Sequence, residues 1–150
     1  MLQVGDKAPL FDLMADNGKQ IRLKDLKGQN VVLYFYPKDD TPGCTKEACA
    51  FRDDYSQISK KGVLLGVSLD NVKSHQTFKK KFNLPFPLLA DEGAAVSKAY
   101  GVYKKKAMYG RSFWGIERST FIIGADGKLR AIFPRVKVDG HNKAVLEALN

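Results

Sequence analysis

The sequence has few residues that could cross-link the chain or hold a metal ion. It contains two cysteines and two histidines among 150 residues, too few for a disulfide framework and without the spacing of a zinc site. We therefore expect no bound metal, and we assign no cofactor. In a reducing compartment such cysteines are more often free, catalytic or redox-active than joined in a permanent bridge. Both are candidates for reactive groups.

Long apolar runs are also missing. The longest, Val31–Tyr36 and Val63–Val67, are far shorter than the roughly 20 residues of a membrane-spanning helix. The start of the chain carries charges at Asp6 and Lys7 and lacks the apolar centre and the cleavage site of a secretory signal. We expect no transmembrane segment, no membrane partner and a cytoplasmic location.

Acidic residues are outnumbered by basic ones, which leaves a net charge of +9 at pH 7. A basic surface attracts polyanions, so a nucleic-acid-binding module is one alternative function. The lysines, however, are spread over Lys60–Lys61, Lys79–Lys81 and Lys104–Lys106, and no nucleic-acid motif accompanies them. Solvated faces explain these charges more simply, and we expect no specific nucleic-acid partner.

The length and the apolar content of 44% suit a single domain over residues 1–150. Val31–Tyr36 is a continuous apolar run, which is typical of a strand buried on both faces, and Val63–Ser68 is a second such run. Between them, five residues recur at helical spacing: Cys44, Ala48, Phe51, Tyr55 and Ile58. A strand, a helix and a strand in this order favour a parallel pair of strands.

The remaining segments continue the alternation of strands and helices. They are a helix carrying Val72, Phe78 and Phe82, an extended segment Leu84–Pro87, a short helix Ala94–Tyr100, a loop Lys104–Gly115, the strands Thr120–Ile123 and Leu129–Phe133, and a helix over about 142–149. Asp70 or Asn71 is expected to cap the first of these helices. Asp126-Gly127 predicts a hairpin between the two strands. We predict an α/β fold with a central mixed β-sheet flanked by helices.

The segment between the first buried strand and its helix carries the chemistry. Thr41 is suited to the N-cap, and Pro42 to the first helical position, where its missing N–H is no loss. Cys44 then lies in the first turn, where free N–H groups and the helix dipole stabilise a thiolate. With a cation nearby, such a cysteine can have a pKa of roughly 3.5–7.5 instead of about 8.5.

The spacing between Cys44 and Cys49 predicts a particular redox cycle. Residues five apart in a helix are separated by about 8.7 Å between Cα atoms, whereas a disulfide needs about 6.8 Å or less. The first turns must therefore unwind before the pair can close. A peroxide would oxidise Cys44 to a sulfenic acid, Cys49 would form the disulfide, and an external dithiol would restore both thiols. The alternative is that both are inert buried cysteines.

One stretch of the sequence resembles a known signature. Phe35–Cys49, which reads FYPKDDTPGCTKEAC, and the following Phe51–Asp53 are similar to the active-site motif of the peroxiredoxin Q group, also called the bacterioferritin comigratory protein group. Shorter resemblances extend along most of the chain, at Val4–Pro9, Gly66–Asp70, Phe86–Asp91, Arg118–Phe121 and Gly140–His141. The resemblance implies a thioredoxin-like fold and a thiol-dependent peroxidase.

The resemblance also implies roles for the two cysteines and for the partners. Cys44 takes the place of the peroxidatic cysteine, and Cys49 occupies the resolving position, which favours a cycle within one subunit. The expected substrates are hydrogen peroxide and organic hydroperoxides. A thioredoxin is the implied reductant, with a glutaredoxin as the alternative, and we expect a monomer.

Four further residues are expected around Cys44 by the same resemblance. Thr41 would hydrogen-bond the peroxide or the thiolate, and Pro37 would shield the pocket from water. Arg118 matches the active-site arginine, which would favour the thiolate and polarise the oxygen–oxygen bond; a surface arginine at a strand start is the alternative. Gly43 is assigned with Thr41 and Arg118 to substrate binding.

Other residues receive weaker interpretations. His75 and His141 are expected to be capping or surface groups. Glu47 and Arg52 are expected to be solvated charges or, by the resemblance, supports of the active-site loop. Loop packing is the expected role of three aromatic residues, Tyr109, Phe113 and Trp114.

One more redox alternative remains open at this point. A thioredoxin-like disulfide oxidoreductase would normally carry Cys-x-x-Cys at the helix start. Here four residues separate Cys44 from Cys49, and this spacing favours the peroxidase.

Overall fold

The computed structural model describes residues 1–150. The strands are β1 (Asp12–Ala15), β2 (Gln20–Arg22), β3 (Val31–Phe35), β4 (Val63–Ser68), β5 (Leu88–Ala90), β6 (Tyr103–Met108), β7 (Arg111–Ile116), β8 (Ser119–Ile123) and β9 (Leu129–Phe133). The helices are α1 (Pro42–Asp53), α2 (Tyr55–Ile58), α3 (Val72–Phe82), α4 (Ala95–Ala99) and α5 (His141–Ala148), with a 3-10 turn at Leu23–Leu26. None of the helices has the length and the apolar character needed to cross a membrane.

Seven strands form a mixed sheet in the order β2-β1-β5-β4-β3-β8-β9, and β6 pairs only with β7. Strand β4 runs parallel to both β3 and β5, as the strand-helix-strand order predicts. Strand β8 is antiparallel to β3, so that Ser119 at its start pairs with Phe35 at the end of β3. The prediction of a mixed sheet flanked by helices is confirmed.

Strand β3 lies at the centre of the core. All five of its residues are buried, and its side chains alternate between two apolar clusters, one on each side of the sheet. On the side of α1, the ring of Phe51 packs against Tyr34 with their centroids 4.8 Å apart. Burying one such ring contributes roughly 1.5–3 kcal/mol, so the sheet holds the second half of α1 firmly.

Two predicted elements differ from the structure, and one predicted cap is confirmed. The helical stripe from Cys44 to Ile58 is divided between α1 and α2 at Asp54, whose backbone leaves helical geometry and whose carboxylate accepts hydrogen bonds from Asn142 (2.6 Å) and Lys143 (3.0 Å). The extended segment after α3 becomes a strand only from Leu88. Asn71, of the two proposed caps, accepts from the Ser74 N–H at 2.8 Å.

The predicted loop Lys104–Gly115 was wrong, because this segment forms most of the hairpin β6–β7. Its turn has positive φ at Tyr109 (53°) and Gly110 (75°). Tight hairpin turns of this kind favour Asn-Gly or Asp-Gly, and a tyrosine in the first position hides the signal. Strands β1 and β2 were also not predicted, since each has only three or four residues.

Candidate active site

The loop that follows β3 delivers the cysteine to the start of α1. Thr41 is the N-cap residue with an extended backbone, and Pro42 is the first helical residue, as predicted. The hydroxyl of Thr41, however, donates to the Lys38 carbonyl (2.8 Å) and makes no cap to the helix. The side-chain cap was therefore wrong, and the N–H groups of Gly43 and Cys44 are left free at the helix mouth.

Cys44 lies in the first turn of α1 and is 2% exposed. Its Sγ accepts a hydrogen bond from Nη2 of Arg118, with 3.4 Å between the two atoms. Arg118 stands just before β8, at the sheet edge where β3 ends. Because its side chain is only 16% exposed, Arg118 is not the surface arginine of the alternative interpretation.

Glu47, one turn after Cys44, binds the second terminal nitrogen of the Arg118 guanidinium. Its Oε1 accepts from Nη1 of Arg118 at 2.7 Å. Burial raises the pKa of Glu47 to about 7, against the opposing effect of the Arg118 charge. Burial by itself would lower the pKa of Arg118, but Glu47 and Cys44 outweigh it and leave that pKa raised. The interpretation of Glu47 as a solvated charge was wrong.

The second oxygen of Glu47, Oε2, is buried and has no hydrogen-bond partner, and the same is true of the Tyr34 hydroxyl. A carboxylate that lacks half of its usual partners is poorly stabilised as an anion. This agrees with the raised pKa of Glu47. The pKa of Tyr34 is raised well above its ordinary value by burial and then by the Glu47 charge.

Gly43 lies where Arg118 approaches the helix. A Cβ atom at this position would lie 3.1 Å from Nη2 of Arg118, a distance at which one of the two groups must shift. The residue at position 43 therefore has to be small for the guanidinium to reach Cys44. Pro37 is half-buried at the start of the loop, and no specific contact ties it to the sulfur.

Cys49 is half-buried on the same helix as Cys44, and both cysteines are free. Helix α1 is continuous through both positions. At about 8.7 Å between Cα atoms for residues five apart, they cannot form a disulfide until the helix start unwinds.

The contacts of α1 divide it into two parts. Beyond Cys49, Arg52 donates to the Phe82 carbonyl (2.8 Å), and Asp54 at the helix end binds α5. Before Cys49, charged contacts are made by Glu47 with Arg118 and by Lys46 with the exposed Asp139. The second part is anchored to two other helices, α3 and α5. Arg52 thus supports the helix and does not contact the loop.

The loop before Cys44 is fixed by a buried polar network centred on Asp39. Its carboxylate accepts from the Tyr36 hydroxyl (2.6 Å) and the Ser74 hydroxyl (2.8 Å), and it lies 2.7 Å from Nδ1 of His75. The Asp39 N–H donates to Asp70 (2.8 Å). Since these partners are the residue just after β3, two residues of α3 and one in the turn before α3, the network locks the loop against the sheet.

Sequence reasoning missed this network. His75 is fully buried, with its Nε2 2.9 Å from the Leu89 carbonyl, so the prediction of a surface or capping histidine was wrong. His141 is also buried, 2.8 Å from the Thr120 hydroxyl, and burial lowers its pKa to about 4. Asp39 and His75 are 36 residues apart, and no motif in the sequence connects them.

Metal binding is a further chemistry that the same network could suggest. One ligand atom each from Asp39, Asp70 and His75 lies within 4.8 Å of the others. All three side chains, however, already hydrogen-bond to protein groups. The network is therefore fully explained as a clamp on the active-site loop.

Fold and site together define a class of protein. A cysteine at a helix start, beside a buried arginine and at the end of a central strand of a thioredoxin-like sheet, is the arrangement of a thiol-dependent peroxidase. Comparison with known proteins makes the assignment specific. The AhpC/TSA family model matches residues 4–132, and the chain belongs to this family, as one of its peroxiredoxins of the Bcp or Q group.

The similarity covers almost the whole chain. It is 56% identical over 149 residues to a putative peroxiredoxin bcp of Coxiella burnetii, covering 99% of both chains. It is 45% identical to peroxiredoxin Bcp of Bacillus subtilis, covering 99% of this chain and 95% of the other.

Solved structures give the same result. A cysteine-to-serine mutant of PrxQ from Xylella fastidiosa matches with a TM-score of 0.93 and 40% identity, over 99% of this chain and 96% of the other. Peroxiredoxin Q of Xanthomonas campestris matches with a TM-score of 0.88 and 44% identity, over 93% and 89% of the two chains. The predicted family, fold and enzyme class are confirmed. Membership implies a peroxide substrate and a thiol reductant.

Proposed function

We propose that the protein reduces hydrogen peroxide and organic hydroperoxides with Cys44. The thiolate attacks the terminal peroxide oxygen, the oxygen–oxygen bond breaks, and the departing oxygen takes up a proton to leave as water or an alcohol. Cys44 keeps the other oxygen as a sulfenic acid. The observation that carries this proposal is the 3.4 Å contact between the Cys44 Sγ and the Arg118 guanidinium at the helix mouth.

The surrounding residues have distinct roles in this step. Arg118 stabilises the thiolate and the negative charge that develops on the departing oxygen. The Thr41 hydroxyl donates a hydrogen bond to the Lys38 carbonyl (2.8 Å), so its lone pairs are free to accept a hydrogen bond from the hydroperoxide O–H. Gly43 admits both Arg118 and the substrate, and Pro37 keeps water out.

Cys49 then resolves the sulfenic acid. Its sulfur attacks the Cys44 sulfur, the sulfur–sulfur bond forms, and the hydroxyl leaves as water with the thiol proton. This requires the first turns of α1 to unwind. The proposal is supported by the polar contacts of that part of the helix, which involve only two residues outside it: Arg118, bound by Cys44 and Glu47, and Asp139, bound by Lys46.

An external dithiol completes the cycle. It reduces the Cys44–Cys49 disulfide and leaves as its own disulfide. Thioredoxin is the proposed reductant, with glutaredoxin as the alternative. Monomeric assembly and the cytoplasmic location stay predictions. Membership of the peroxiredoxin family favours this cycle over a disulfide oxidoreductase and over a basic nucleic-acid-binding module.

Two cysteine variants test the cycle. Cys44→Ser should abolish peroxide consumption with a dithiol reductant, because the nucleophile is gone. Cys49→Ser should complete one round and stop at the sulfenic acid, which mass spectrometry detects as one added oxygen. In the peroxide-treated wild type, the same method should find a disulfide between Cys44 and Cys49. Equal turnover by the wild type and Cys44→Ser would refute the assignment.

A further inference from the structure

The hairpin β6–β7 stands apart from the main sheet at the edge where the active site lies. Its strands pair only with each other, and its base is closed where the Glu117 N–H donates to the Val102 carbonyl (2.8 Å). Arg118 follows directly. Since β8 then begins opposite the end of β3, the hairpin base adjoins the Cys44 site.

Large apolar side chains are concentrated on this hairpin, from its middle to its tip. Eight large hydrophobic residues of the protein are exposed, and four of them belong to the hairpin: Met108 (57%), Tyr109 (97%), Phe113 (43%) and Trp114 (57%). Trp114 stacks on Tyr103 of the same segment, with ring centroids 5.5 Å apart, so the expected packing holds for Trp114, whereas it is wrong for Tyr109 at the tip. A cluster of exposed apolar groups marks an interaction surface.

The hairpin also carries charge of only one sign. From Tyr103 to Ile116 there are four basic residues and no acidic one. Three of the four are exposed: Lys104, Lys105 and Arg111. Lys106 is half-buried at the base, where its ammonium donates to the Ile116 carbonyl. A partner that complements the basic and apolar side chains of the hairpin therefore carries negative charge next to an apolar region.

The apolar groups lie on both faces of the hairpin. Trp114 is paired with Lys105, and Phe113 with Lys106, and successive residues of a strand point to opposite faces. A protein partner would cover one face and leave the other in water. The headgroup layer of a bilayer surrounds a two-stranded hairpin on both faces, and it favours tryptophan, tyrosine and basic side chains.

We propose that the hairpin β6–β7 is a docking element for an anionic lipid bilayer, with its tip seated in the headgroup layer. Such peripheral binding needs no membrane-spanning segment, so it is compatible with the short apolar runs of the sequence. It revises the expectation that the protein has no membrane partner. Docking in this way turns the edge that carries Cys44 toward the bilayer surface.

The single tryptophan makes the proposal testable, because Trp114 is the only one in the chain and lies on the hairpin. We expect its fluorescence emission to shift to the blue when the reduced protein is titrated with vesicles of equimolar phosphatidylglycerol and phosphatidylcholine. Pure phosphatidylcholine vesicles should leave the emission unchanged. High salt should reverse the shift, since it screens the attraction to the anionic lipid.

Matched charge variants locate the binding surface. Lys104→Gln/Lys105→Gln should weaken vesicle binding about 25-fold, because each basic residue near an anionic surface contributes about fivefold. Lys60→Gln/Lys61→Gln removes the same charge just before the start of β4. This position is at the opposite ends of the strands from the active site, so the variant should bind nearly as well as the wild type.

Several results would overturn the proposal. They are the lack of any vesicle-induced shift, an equal shift with pure phosphatidylcholine, and equal losses in the two double variants, which would indicate general attraction to a basic protein. Vesicle binding without a Trp114 response would place the contact elsewhere. A blue shift that appears with protein concentration alone would identify a second copy of the chain as the occupant.

Discussion

Glu47 should make the stability of the protein depend on pH in a defined way. Burial raises its pKa in the folded state to about 7 from an ordinary 4.5. The folded state therefore prefers protonated Glu47. The contribution of this preference to the free energy of unfolding is complete below pH 4.5 and is lost as the pH rises through about 7. A shift of this size corresponds to about 3 kcal/mol, at 1.36 kcal/mol for each unit of pKa.

Glu47→Gln provides the measurement, because the amide has the shape of the protonated acid but cannot ionise. Urea unfolding of the reduced proteins should show the wild type losing about 3 kcal/mol relative to the variant between pH 4.5 and pH 8. Glu92→Gln is the matched control, because the Glu92 side chain is exposed and its charge stays hydrated. If the free energies of unfolding of the wild type and Glu47→Gln changed equally with pH, ionisation of the buried Glu47 would not destabilise the folded state.

Two further predictions concern the groups that frame the cysteine. Arg118→Met should slow the reaction of Cys44 with hydrogen peroxide by roughly 100-fold in stopped-flow measurements, since it removes a donor to the reacting atoms. The exposed Arg130→Met is its control, and equal rates for these two variants would contradict the role of Arg118. His75→Leu should lower the free energy of unfolding by about 1–3 kcal/mol, because it removes the buried hydrogen bonds of the imidazole with the Asp39 carboxylate and the Leu89 carbonyl. A loss below about 1 kcal/mol would mean that the network does not clamp the loop.

The sequence predicted the elements that depend on local patterns. The apolar run of β3 needed no partner to be recognised, because a strand covered on both faces has no polar side. Pro42 marked the first residue of α1 through its own geometry, and with it the position of Cys44. The active-site motif around these residues was long enough to indicate the family.

Local patterns failed where a distant residue decides the structure. The helix breaks at Asp54, whose carboxylate is held by residues of α5. The hairpin β6–β7 turns at Tyr109, a residue that is not typical of such turns. At Asp54, contacts with a distant helix end the helix that the local pattern predicts. At Tyr109, the folded chain imposes a backbone geometry that the local sequence does not favour.

The sequence by itself determined which sulfur lies at a helix start, because the preference of proline for the first helical position and the hydrophobic periodicity are local properties. Only the tertiary structure decided what surrounds that sulfur. Arg118 reaches Cys44 across 74 residues, since β8 lies next to β3 in the sheet. The same packing buries Glu47 and changes its pKa, and it brings His75 to Asp39. The burial of a side chain and the charges around it depend on which strands and helices pack together. No single segment of the sequence determines the order of the strands in the sheet.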